Sequence, residues 1–547
     1  MQRLPLAIEF GEDLIIVNKP AGFSTHAVAP GRPGLAELLE KEFLAQGKNI
    51  KLHLVHRLDK NTTGVLLFAT NQKRAQELFE AFKQNKVKKR YVLLTSAYPD
   101  FTEIIIHSKI EMHDKELVNT PCSPAEANAE THFKLVKLNA LFQQWEAFPK
   151  TGKTHQIRLH AAQAGIPILG DSLYGNKDDF YPHLCLHAQS LEIPGIGSWQ
   201  RFHPIFFERM GLIRDKKLAA ILSAFDRRQR LYEFLTQPDV CLRLAHLDQK
   251  DFRIDLFGSM IWVYWYADED PSSQDLERFE FLQSLTRRKV LIQKMQNRGQ
   301  DPLSQKQWSF ENIPETWVAK ENQLHFEFRR NQGLSPGLFL DQRENRFWLS
   351  QNCASKRVLN LFSYTCGFSV AAAAGGAREV VSVDLSKVFL SWGQRNLELN
   401  SESLNSQEES KALFFSQDSE EFLQQTLKRK KSFDVIILDP PSFSRSGKKI
   451  WKFEKDFPKL LKLCFDCLAP GGMILCSSNF EKWDFNTFRS QIEKTLGREL
   501  KSIRAPDLRP LDFETPSEIS LMKALILEKM DNERCKPAPG PIKTSEN

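Results

Sequence analysis

The order of apolar and polar positions divides the chain into two regions with different expected architectures. Over the first 215 residues, short apolar runs such as 14–17 and 65–69 end in turn residues, and few segments have helical spacing. From about residue 355, near-continuous apolar runs at 358–362, 379–384 and 433–439 alternate with helical segments. Strands of a parallel sheet have such runs because helices cover both faces of the sheet. We therefore predict an α+β domain with a mixed or antiparallel sheet, followed by an α/β domain.

The segment between these regions predicts a linker and a smaller unit. Many charges and few turn residues at 216–235 indicate a helical linker. The following segment is expected to be a small α/β module, with a strand at 260–266, a helix at 276–295 and a hairpin at 317–328. The C-terminal stretch is rich in Pro and Lys and is expected to be disordered. The predicted boundaries are 1–215, 216–235, 236–350, 351–529 and 530–547.

Composition adds limits rather than a function. A chain of 547 residues is too long for one hydrophobic core. Its 75 Lys and Arg against 68 Asp and Glu give a net charge of +7, which permits a polyanionic partner without requiring one. The nine cysteines lack a disulfide spacing, and the pair Cys464 and Cys467 has no second pair, so no metal site is expected. No stretch reaches the ~18 apolar residues of a membrane span, and we expect a cytoplasmic protein without membrane contact.

The segment 56–64, His-Arg-Leu-Asp-Lys-Asn-Thr-Thr-Gly, places the carboxylate of Asp59 among three basic residues. A nearby cation lowers the pKa of a carboxyl group, and an ionised carboxylate can serve as nucleophile or base. A surface ion pair in front of a turn has the same composition. The segment alone therefore leaves a catalytic and a structural interpretation open.

Further motifs, in order, give this region a family resemblance over most of residues 5–195. It resembles the RluA-type pseudouridine synthases, and the matching motifs are 18–22, 56–64, 89–91, 151–160, 168–175 and 186–188.

The resemblance implies a reaction and the residues that perform it. Asp59 would attack the uridine, Tyr91 would stack on the target base, and Arg158 would pair with Asp59 to keep it charged. The uracil both leaves and returns, so no cofactor or metal is implied. RNA contacts are implied for Arg57, Lys89 and Arg90.

The second region predicts a nucleotide-type cofactor site. Its first strand, 358–362, runs into small residues around Gly367, where the backbone can approach a ligand closely. Asp384 ends the second strand, where a carboxylate can accept from both hydroxyls of a ribose. A nicotinamide-binding fold shares this Asp, but the three-glycine fingerprint that cradles a pyrophosphate is absent. The pattern favours S-adenosylmethionine, which contains no pyrophosphate.

This region, over about 236–527, resembles the 23S rRNA methyltransferases of the RlmK and RlmI type. The matching strings are 336–343, 359–369, 383–387 and 439–444. The resemblance implies a Rossmann-like, S-adenosylmethionine-dependent RNA methyltransferase domain. The residues implied to bind the cofactor are Ser363, Tyr364, Gly367, Asp384, Asp418 and Asp439, with Phe339, Asp341 and Arg343 approaching from the preceding hairpin.

The methylated atom depends on one position. Carbon-5 methylation of cytosine requires a Cys thiolate, and Ser478 stands where cytosine-modifying relatives of this type hold that Cys. Cys476, two residues earlier, is expected to be a buried strand residue. We therefore predict methylation of guanine nitrogen 7, with cytosine carbon 5 as the alternative. The expected substrate of the bifunctional enzyme is structured RNA, 23S rRNA first and tRNA second. A binding or ribosome assembly factor with an inactive site is the alternative from another class, and the oligomeric state is left open.

Overall fold

In the computed structural model, the structure describes residues 8–28, 33–114, 116–139, 141–176, 181, 184–232, 237–246, 250–295, 306–333, 335–401, 410–446, 449–505, 510–513 and 522–530. Of the predicted disordered tail, 530–547, all but Met530 lies outside the described residues.

The first region forms one 11-stranded mixed sheet. The strand order is β1-β2-β4-β10-β5-β9-β8-β6-β7, with β3 paired to β4 and β11 to β10. Neighbours are antiparallel except β4 and β10, which run parallel. The strands are β1 (Ile8–Gly11), β2 (Leu14–Lys19), β3 (His53–Leu54), β4 (Thr63–Ala69), β5 (Lys88–Thr95), β6 (Glu103–His113), β7 (Glu116–Pro121), β8 (Ala129–Leu138), β9 (Gln143–Pro149), β10 (Leu186–Ile193) and β11 (Gly197–Gln200). The helices are α1 (Leu35–Ala45), α2 (Gln72–Lys83), α3 (Gln156–Gln163) and α4 (Ile205–Glu208).

A helix, α5 (Lys216–Leu231), forms within the predicted linker. Asp215 caps it, because its side chain accepts from the Leu218 backbone N–H at 3.0 Å. The helix is not a solvated spacer. Its Ile221 and Phe225 share a core cluster with Phe68 of the first sheet and Ile254 of the following module.

The module consists of a five-stranded sheet in the order β12-β13-β14-β15-β16 and a separate hairpin of β17 and β18. The predicted helix at 276–295 is wrong in its second half. The helix ends at Thr286 because Arg287 adopts a left-handed conformation (φ 55°), and the following residues form β15, parallel to β14. The elements are β12 (Cys241–Ala245), β13 (Phe252–Phe257), β14 (Met260–Trp265), α6 (Ser273–Thr286), β15 (Lys289–Lys294), β16 (Gln307–Ser309), β17 (Thr316–Glu321) and β18 (Leu324–Arg329).

The last region is a seven-stranded sheet in the order β21-β20-β19-β22-β25-β27-β26. Its first five strands are parallel, as predicted, and β27 is antiparallel to both of its neighbours. The strands are β19 (Arg357–Leu361), β20 (Glu379–Asp384), β21 (Lys411–Ser416), β22 (Phe433–Leu438), β25 (Leu468–Ser478), β26 (Leu500–Arg504) and β27 (Lys523–Lys529), with a hairpin of β23 (Phe443–Ser446) and β24 (Lys449–Lys452) after β22. The helices are α7 (Arg343–Asn352), α8 (Gly367–Ala374), α9 (Lys387–Glu398), α10 (Ser419–Lys428), α11 (Phe453–Asp466) and α12 (Phe485–Leu496).

The predicted fold class, α+β followed by α/β, is confirmed. In the last sheet, β19 is continued by β20 on one side and by β22 on the other. The strand order reverses there, and in such sheets ligands bind beyond the carboxyl ends of the strands at the reversal.

Candidate active sites

Asp59 lies in the turn between β3 and β4, and side chains hold the backbone on both sides of it. Thr25 Oγ1 donates to the Leu58 carbonyl oxygen at 2.9 Å. Lys19 Nζ donates to the Lys60 carbonyl oxygen at 2.9 Å. Lys19 is fully buried, and burial lowers its pKa to about 7. The turn therefore presents the Asp59 carboxylate, 27% exposed, from a fixed backbone.

Arg158, on α3, lies against that carboxylate and is itself oriented by Asp171. Its Nη1 is 3.5 Å from Asp59 Oδ2. Its Nε and Nη2 donate to the two oxygens of Asp171 at 2.8 and 2.7 Å. Burial opposes ionisation of Asp171, whose side chain is 1% exposed, but the hydrogen bonds and charge of Arg158 outweigh it and lower the pKa of Asp171. Asp171 thus holds the guanidinium in place; it lies in the 168–175 motif, but sequence reasoning gave it no role.

Tyr91 lies on β5, opposite Ala188 of β10 and Ala147 of β9. Burial and then the nearby Asp59 carboxylate raise the pKa of the Tyr91 phenol, which is therefore neutral at pH 7. The parallel contact between β4 and β10 requires Gly64 (φ 116°), because a Cβ at this position would lie 2.2 Å from the Ala188 carbonyl oxygen. The Thr-Thr-Gly element thereby holds the Asp59 turn beside Tyr91.

Five of the six residues predicted for this site line one cleft of about 740 Å³: Arg57, Asp59, Lys89, Tyr91 and Arg158. Lys89 Nζ donates to the Thr151 carbonyl oxygen at 2.7 Å, and burial lowers its pKa to about 8. Arg90 is not among the lining residues, and its Nη1 lies 3.4 Å from Glu146.

Sequence reasoning gave no role to His155, which also lines this cleft. His155 Nε2 is 3.9 Å from Asp59 Oδ1. The residue lies inside the 151–160 motif, and the only sequence signal was its place three residues before Arg158.

A second cavity, of about 790 Å³, lies beyond the carboxyl ends of β19, β20 and β22, where the strand order reverses. Eight of the nine predicted cofactor residues line it: Phe339, Asp341, Ser363, Tyr364, Gly367, Asp384, Asp418 and Asp439.

The turn after β19 is built to meet Asp384. Phe362, Tyr364 and Cys366 all have positive φ (54°, 47° and 60°), a conformation that non-glycine residues adopt mainly where the surroundings require it. The Tyr364 N–H donates to Asp384 Oδ2, and the Ser386 N–H to Oδ1, each at 2.9 Å. Burial nevertheless raises the pKa of Asp384. A carboxylate held in this way is suited to accept from hydroxyl groups of a ligand.

Asp439 follows β22 and is the final acceptor in a chain of two hydrogen bonds. Ser477 Oγ donates to Asp439 Oδ1 at 2.7 Å, and Gln342 Nε2 donates to Ser477 Oγ at 3.0 Å. Burial raises the pKa of Asp439 to about 6, and burial also raises the pKa of Asp341 on the opposite wall. The cavity therefore contains a carboxylate whose charge changes just below neutral pH.

The structure does not bring Arg343 to this cavity, and the prediction for it is corrected. Arg343 begins α7, and its guanidinium donates to the buried carboxylate of Asp512 instead, with Nη1 at 3.1 Å. Arg346, one turn later on α7, lines the cavity. It donates to both oxygens of Glu321 at 2.6 and 2.7 Å and to the Phe339 carbonyl oxygen at 2.8 Å. Arg346 therefore fixes the segment that carries Phe339.

The described walls of the second cavity contain no cysteine. Cys476 is fully buried in β25, and burial raises the pKa of its thiol. Ser478 is buried as well, and its Oγ accepts from the Phe480 N–H at 3.1 Å. At the cavity wall, Ser442 Oγ donates to Asn479 Oδ1 at 3.1 Å. A thiolate nucleophile is thus not presented by any described residue of this cavity.

The described part of the chain also offers neither a metal centre nor a membrane-spanning helix. No group of three or more His, Cys, Asp or Glu there has the geometry to hold a metal ion. Within the same residues, no helix has the length and apolar character needed to cross a membrane.

Comparisons with known proteins match each half of the chain separately. Residues 13–163 match the family model for RNA pseudouridylate synthase, and residues 280–492 match the model for S-adenosylmethionine-dependent methyltransferase. The chain therefore contains one region similar to pseudouridylate synthases and a later region similar to S-adenosylmethionine-dependent methyltransferases.

Individual relatives cover parts of the chain. It is 32% identical over 259 residues to the ribosomal RNA large subunit methyltransferase K/L of Psychrobacter cryohalolentis, covering 45% of this chain and 32% of the relative. It is 35% identical over 192 residues to the ribosomal RNA large subunit methyltransferase I of Aeromonas salmonicida, covering 35% of this chain and 47% of the relative. The chain thus spans about a third to a half of the length of these relatives. Among solved structures, human RNA pseudouridylate synthase domain containing 4 is 25% identical, with a TM-score of 0.31, covering 38% of this chain and 92% of that chain.

Proposed function

We propose that this protein is a bifunctional RNA-modifying enzyme. Its first domain isomerises uridine to pseudouridine, and its second transfers a methyl group from S-adenosylmethionine to guanine nitrogen 7 of an rRNA. The observation that carries the proposal is the arrangement in the first cleft. There Asp59 faces the open volume with Arg158 at one of its oxygens and the neutral phenol of Tyr91 close by.

In the first reaction the Asp59 carboxylate attacks the target nucleotide and forms a transient bond to it, which breaks again before the product is released. The bond between uracil nitrogen 1 and the ribose breaks, and a bond from carbon 5 to the ribose forms. Carbon 5 loses its proton and nitrogen 1 gains one, so atoms and electrons balance without a co-reactant. Arg158 lies beside the Asp59 carboxylate as its opposite charge, and Tyr91 packs against the base next to the proton that leaves. The duplex must release the base into the cleft, and Arg57 at the wall can fill the space that the base leaves.

The second cavity fits S-adenosylmethionine by the chemistry of its donors and acceptors. Asp384 is held by two backbone N–H groups and would accept from the ribose hydroxyls, and Asp418 at the start of α10 would accept from the adenine amino group. When bound, the cofactor supplies an electrophilic methyl group. Gly367 opens α8 so that the helix N-terminus approaches the ligand without a side chain, and a Cβ there would already lie 3.0 Å from Leu338.

Guanine nitrogen 7 is favoured because the described cavity wall offers acceptors and no thiol. Nitrogen 7 has an in-plane lone pair and needs only positioning, whereas carbon 5 of cytosine needs a covalent nucleophile. Methylation at nitrogen 7 leaves the base positively charged. The Asp439 carboxylate, ionised above its pKa of about 6, would accept from the base edge and stabilise this charge.

The proposed substrate is 23S rRNA, with tRNA second. It rests on the two relatives named as ribosomal RNA large subunit methyltransferases and on the RNA pseudouridylate synthase model. An rRNA substrate would place both reactions in the cytoplasm.

The test is nucleoside analysis of rRNA and tRNA from a deletion strain complemented with wild type, Asp59→Asn or Asp439→Asn. Pseudouridine has the mass of uridine, so its sites are mapped by carbodiimide labelling, and methylated bases are measured by mass spectrometry. We expect one pseudouridine to be missing with Asp59→Asn alone and one 7-methylguanine with Asp439→Asn alone. Loss of a methylcytosine instead would replace guanine by cytosine as the target. If neither mark changes in the deletion strain, the chain acts as an RNA-binding or assembly factor.

A further inference from the structure

His155 has a left-handed backbone that its position at the start of α3 does not require. It is the N-cap of α3, but its side chain makes no capping hydrogen bond. Its backbone is left-handed (φ 55°, ψ 15°), which an L-residue adopts only when the surrounding structure favours it. The side chain is directed into the cleft rather than along the helix, because its Nε2 lies 3.9 Å from Asp59 Oδ1.

The two oxygens of Asp59 face two different groups. Oδ2 lies 3.5 Å from Arg158 Nη1, and Oδ1 lies 3.9 Å from His155 Nε2. Both distances exceed that of a made hydrogen bond, so lone pairs of both oxygens stay available to a substrate. Active-site hydrogen bonds are often long before the substrate binds and shorten in the complex.

The second ring nitrogen of His155 determines which tautomer faces Asp59. His155 Nδ1 lies 3.0 Å from the hydroxyl oxygen of Tyr174, and the two rings pack edge to face at 5.7 Å. If the Tyr174 hydroxyl donates to Nδ1, a neutral ring must carry its hydrogen on Nε2, the atom nearest Asp59. Tyr174 is in turn held under the guanidinium of Arg158, 5.1 Å from its ring centroid.

We propose that His155 is a positioning residue of the pseudouridine synthase site. When the substrate binds, the Nε2–H of His155, oriented by Tyr174, closes on one oxygen of Asp59 while Arg158 closes on the other. The proposal rests on the proposed synthase activity and adds a second partner for its nucleophile. Arg158 supplies a positive charge beside one oxygen of Asp59. His155 supplies a directional donor without charge, which fixes the rotation of the carboxylate.

The charges around the ring agree with a neutral donor. Asp59, Arg158, Asp171 and Tyr174 face it. Burial lowers the pKa of His155, Arg158 adds to this effect, and Asp59 and Asp171 oppose it only in part. Protonation at lower pH would make Nδ1 a donor as well, which breaks the hydrogen bond that Tyr174 donates. It would also add the charge of an imidazolium to that of Arg158 beside Asp59.

The test compares two substitutions, both with an amide side chain, that differ in length. His155→Gln places its amide nitrogen near the position of Nε2 and can still donate to Asp59. His155→Asn tolerates the left-handed backbone best, reaches only the position of Nδ1, and cannot donate to Asp59. Purified full-length variants convert a 23S rRNA transcript in multiple-turnover reactions at varied RNA concentration, with carbodiimide mapping of pseudouridine. The calorimetric transition of the first domain reports folding around His155.

We expect His155→Asn to lower kcat about 100-fold with KM within about threefold, because a nucleophile misplaced by ~1 Å loses a factor of this order. His155→Gln should restore kcat to within about tenfold of wild type, and its acid limb should move to lower pH because the titrating ring is absent. Tyr174→Phe should reduce kcat by less than His155→Asn. A His155→Asn variant with wild-type kcat, or equal losses in the Gln and Asn variants with an unchanged pH profile, overturns the proposal.

Asp59→Asn in the same assay separates this inference from the proposed function. If wild type and Asp59→Asn convert the transcript equally or not at all, the synthase activity itself is refuted, and the role of His155 with it. If Asp59→Asn is inactive and His155→Asn is as fast as wild type, only the role of His155 is refuted.

Discussion

Asp171 both orients and neutralises Arg158, so replacing it should lower the stability of the first domain and its rate of pseudouridine formation. Asp171 Oδ1 accepts from Arg158 Nη2, from the Leu173 N–H at 3.0 Å and from the Tyr174 N–H at 3.1 Å, while Oδ2 accepts from Arg158 Nε. In Asp171→Asn, the amide oxygen can retain the three bonds to Oδ1. The amide nitrogen then opposes Arg158 Nε, donor against donor, and the guanidinium loses the closer of its two charge partners, Asp171 and Asp59.

Breaking a buried ion pair from one side costs roughly 3–5 kcal/mol, because the remaining charge is left uncompensated. Three of the four bonds survive in Asp171→Asn, so we take the lower end, about 3 kcal/mol. For a domain of this size, ~1 kcal/mol corresponds to roughly 2–4 °C in Tm, and the transition of the first domain should fall by about 6–12 °C. Arg158 is also no longer held beside Asp59, so pseudouridine formation should fall by ~100-fold.

The assay uses the full-length chain, so that its second domain serves as an internal control. Thermal unfolding is followed by calorimetry, which resolves separate transitions, and both reactions are measured on the same RNA. Methyl transfer at 25 °C should stay within about twofold of wild type, because the hydrogen bonds that the structure describes for Asp171 all join it to residues of the first domain. A Tm shift below about 2 °C together with wild-type pseudouridine formation would refute the reasoning that Asp171 orients and neutralises Arg158.

Titration or substitution of Asp171, Asp384, Asp439 and Cys476 tests the roles of these side chains in the two domains. The pKa of Asp171 is lowered on folding, so its ionised form stabilises the fold above its unfolded pKa of about 3.8, and this contribution is lost as pH falls through the lower folded value. On acidification below pH 4, the Tm of the first transition should therefore fall more in wild type than in Asp171→Asn. Parallel curves of Tm against pH would contradict this. Asp384→Asn should weaken S-adenosylhomocysteine binding about 10- to 100-fold by calorimetric titration, since a bond to a charged acceptor contributes ~1.5–3 kcal/mol; unchanged affinity would remove Asp384 from the cofactor site. The kcat/KM of methyl transfer should fall as pH drops through about 6, where Asp439 gains a proton, and Asp439→Asn should be slower with a flat profile there; the same acid limb in the variant would assign it to another group. Cys476→Ala should keep methyl transfer within about twofold, whereas abolition in a folded variant would restore cytosine carbon 5 as the target.

The strands of the last sheet were predictable because burial on both faces makes them apolar throughout, as at residues 435–438 of β22. The error in the module has an equally local cause. Apolar residues at 276, 279 and 282 have helical spacing and predict the helix correctly, but the run at 290–292 fits a buried strand as well as a helix. The choice is made by Arg287, whose left-handed backbone ends α6 before β15 begins. An arginine at position 287 does not by itself predict the end of a helix.

Some site residues could likewise be predicted from the sequence, whereas the position of Arg343 could not. Asp59, Tyr91 and Arg158 were predicted because their motifs resemble a family, and the structure brings them to one cleft across separations of up to 99 residues in the chain. Arg343 was placed at the cofactor pocket by its motif alone. Its direction is decided by Asp512, a buried carboxylate 169 residues away that no local pattern connects with it. Contacts of this kind are set by the tertiary fold, so motif matching identifies the residue type but not its partner.

The junction between the two domains restricts how one RNA can meet both sites. On α5, Arg230 donates to the side chain of Asn18, next to the Lys19 that holds the Asp59 turn. Two residues earlier, Arg228 Nη2 donates to the Asp512 carbonyl oxygen at 2.8 Å, and the carboxylate of Asp512 holds Arg343 at the start of α7.

A flexible linker would raise the effective concentration of the second site over a range of distances. Here α5 is packed and hydrogen-bonded on both sides, so we expect the two clefts to keep one separation. One binding event can therefore yield both marks only if the RNA presents its two target nucleotides at that separation, and otherwise the RNA must be released and bound again. A single-turnover reaction chased with excess unlabelled RNA distinguishes these cases, because only the first leaves both marks on the same labelled molecule.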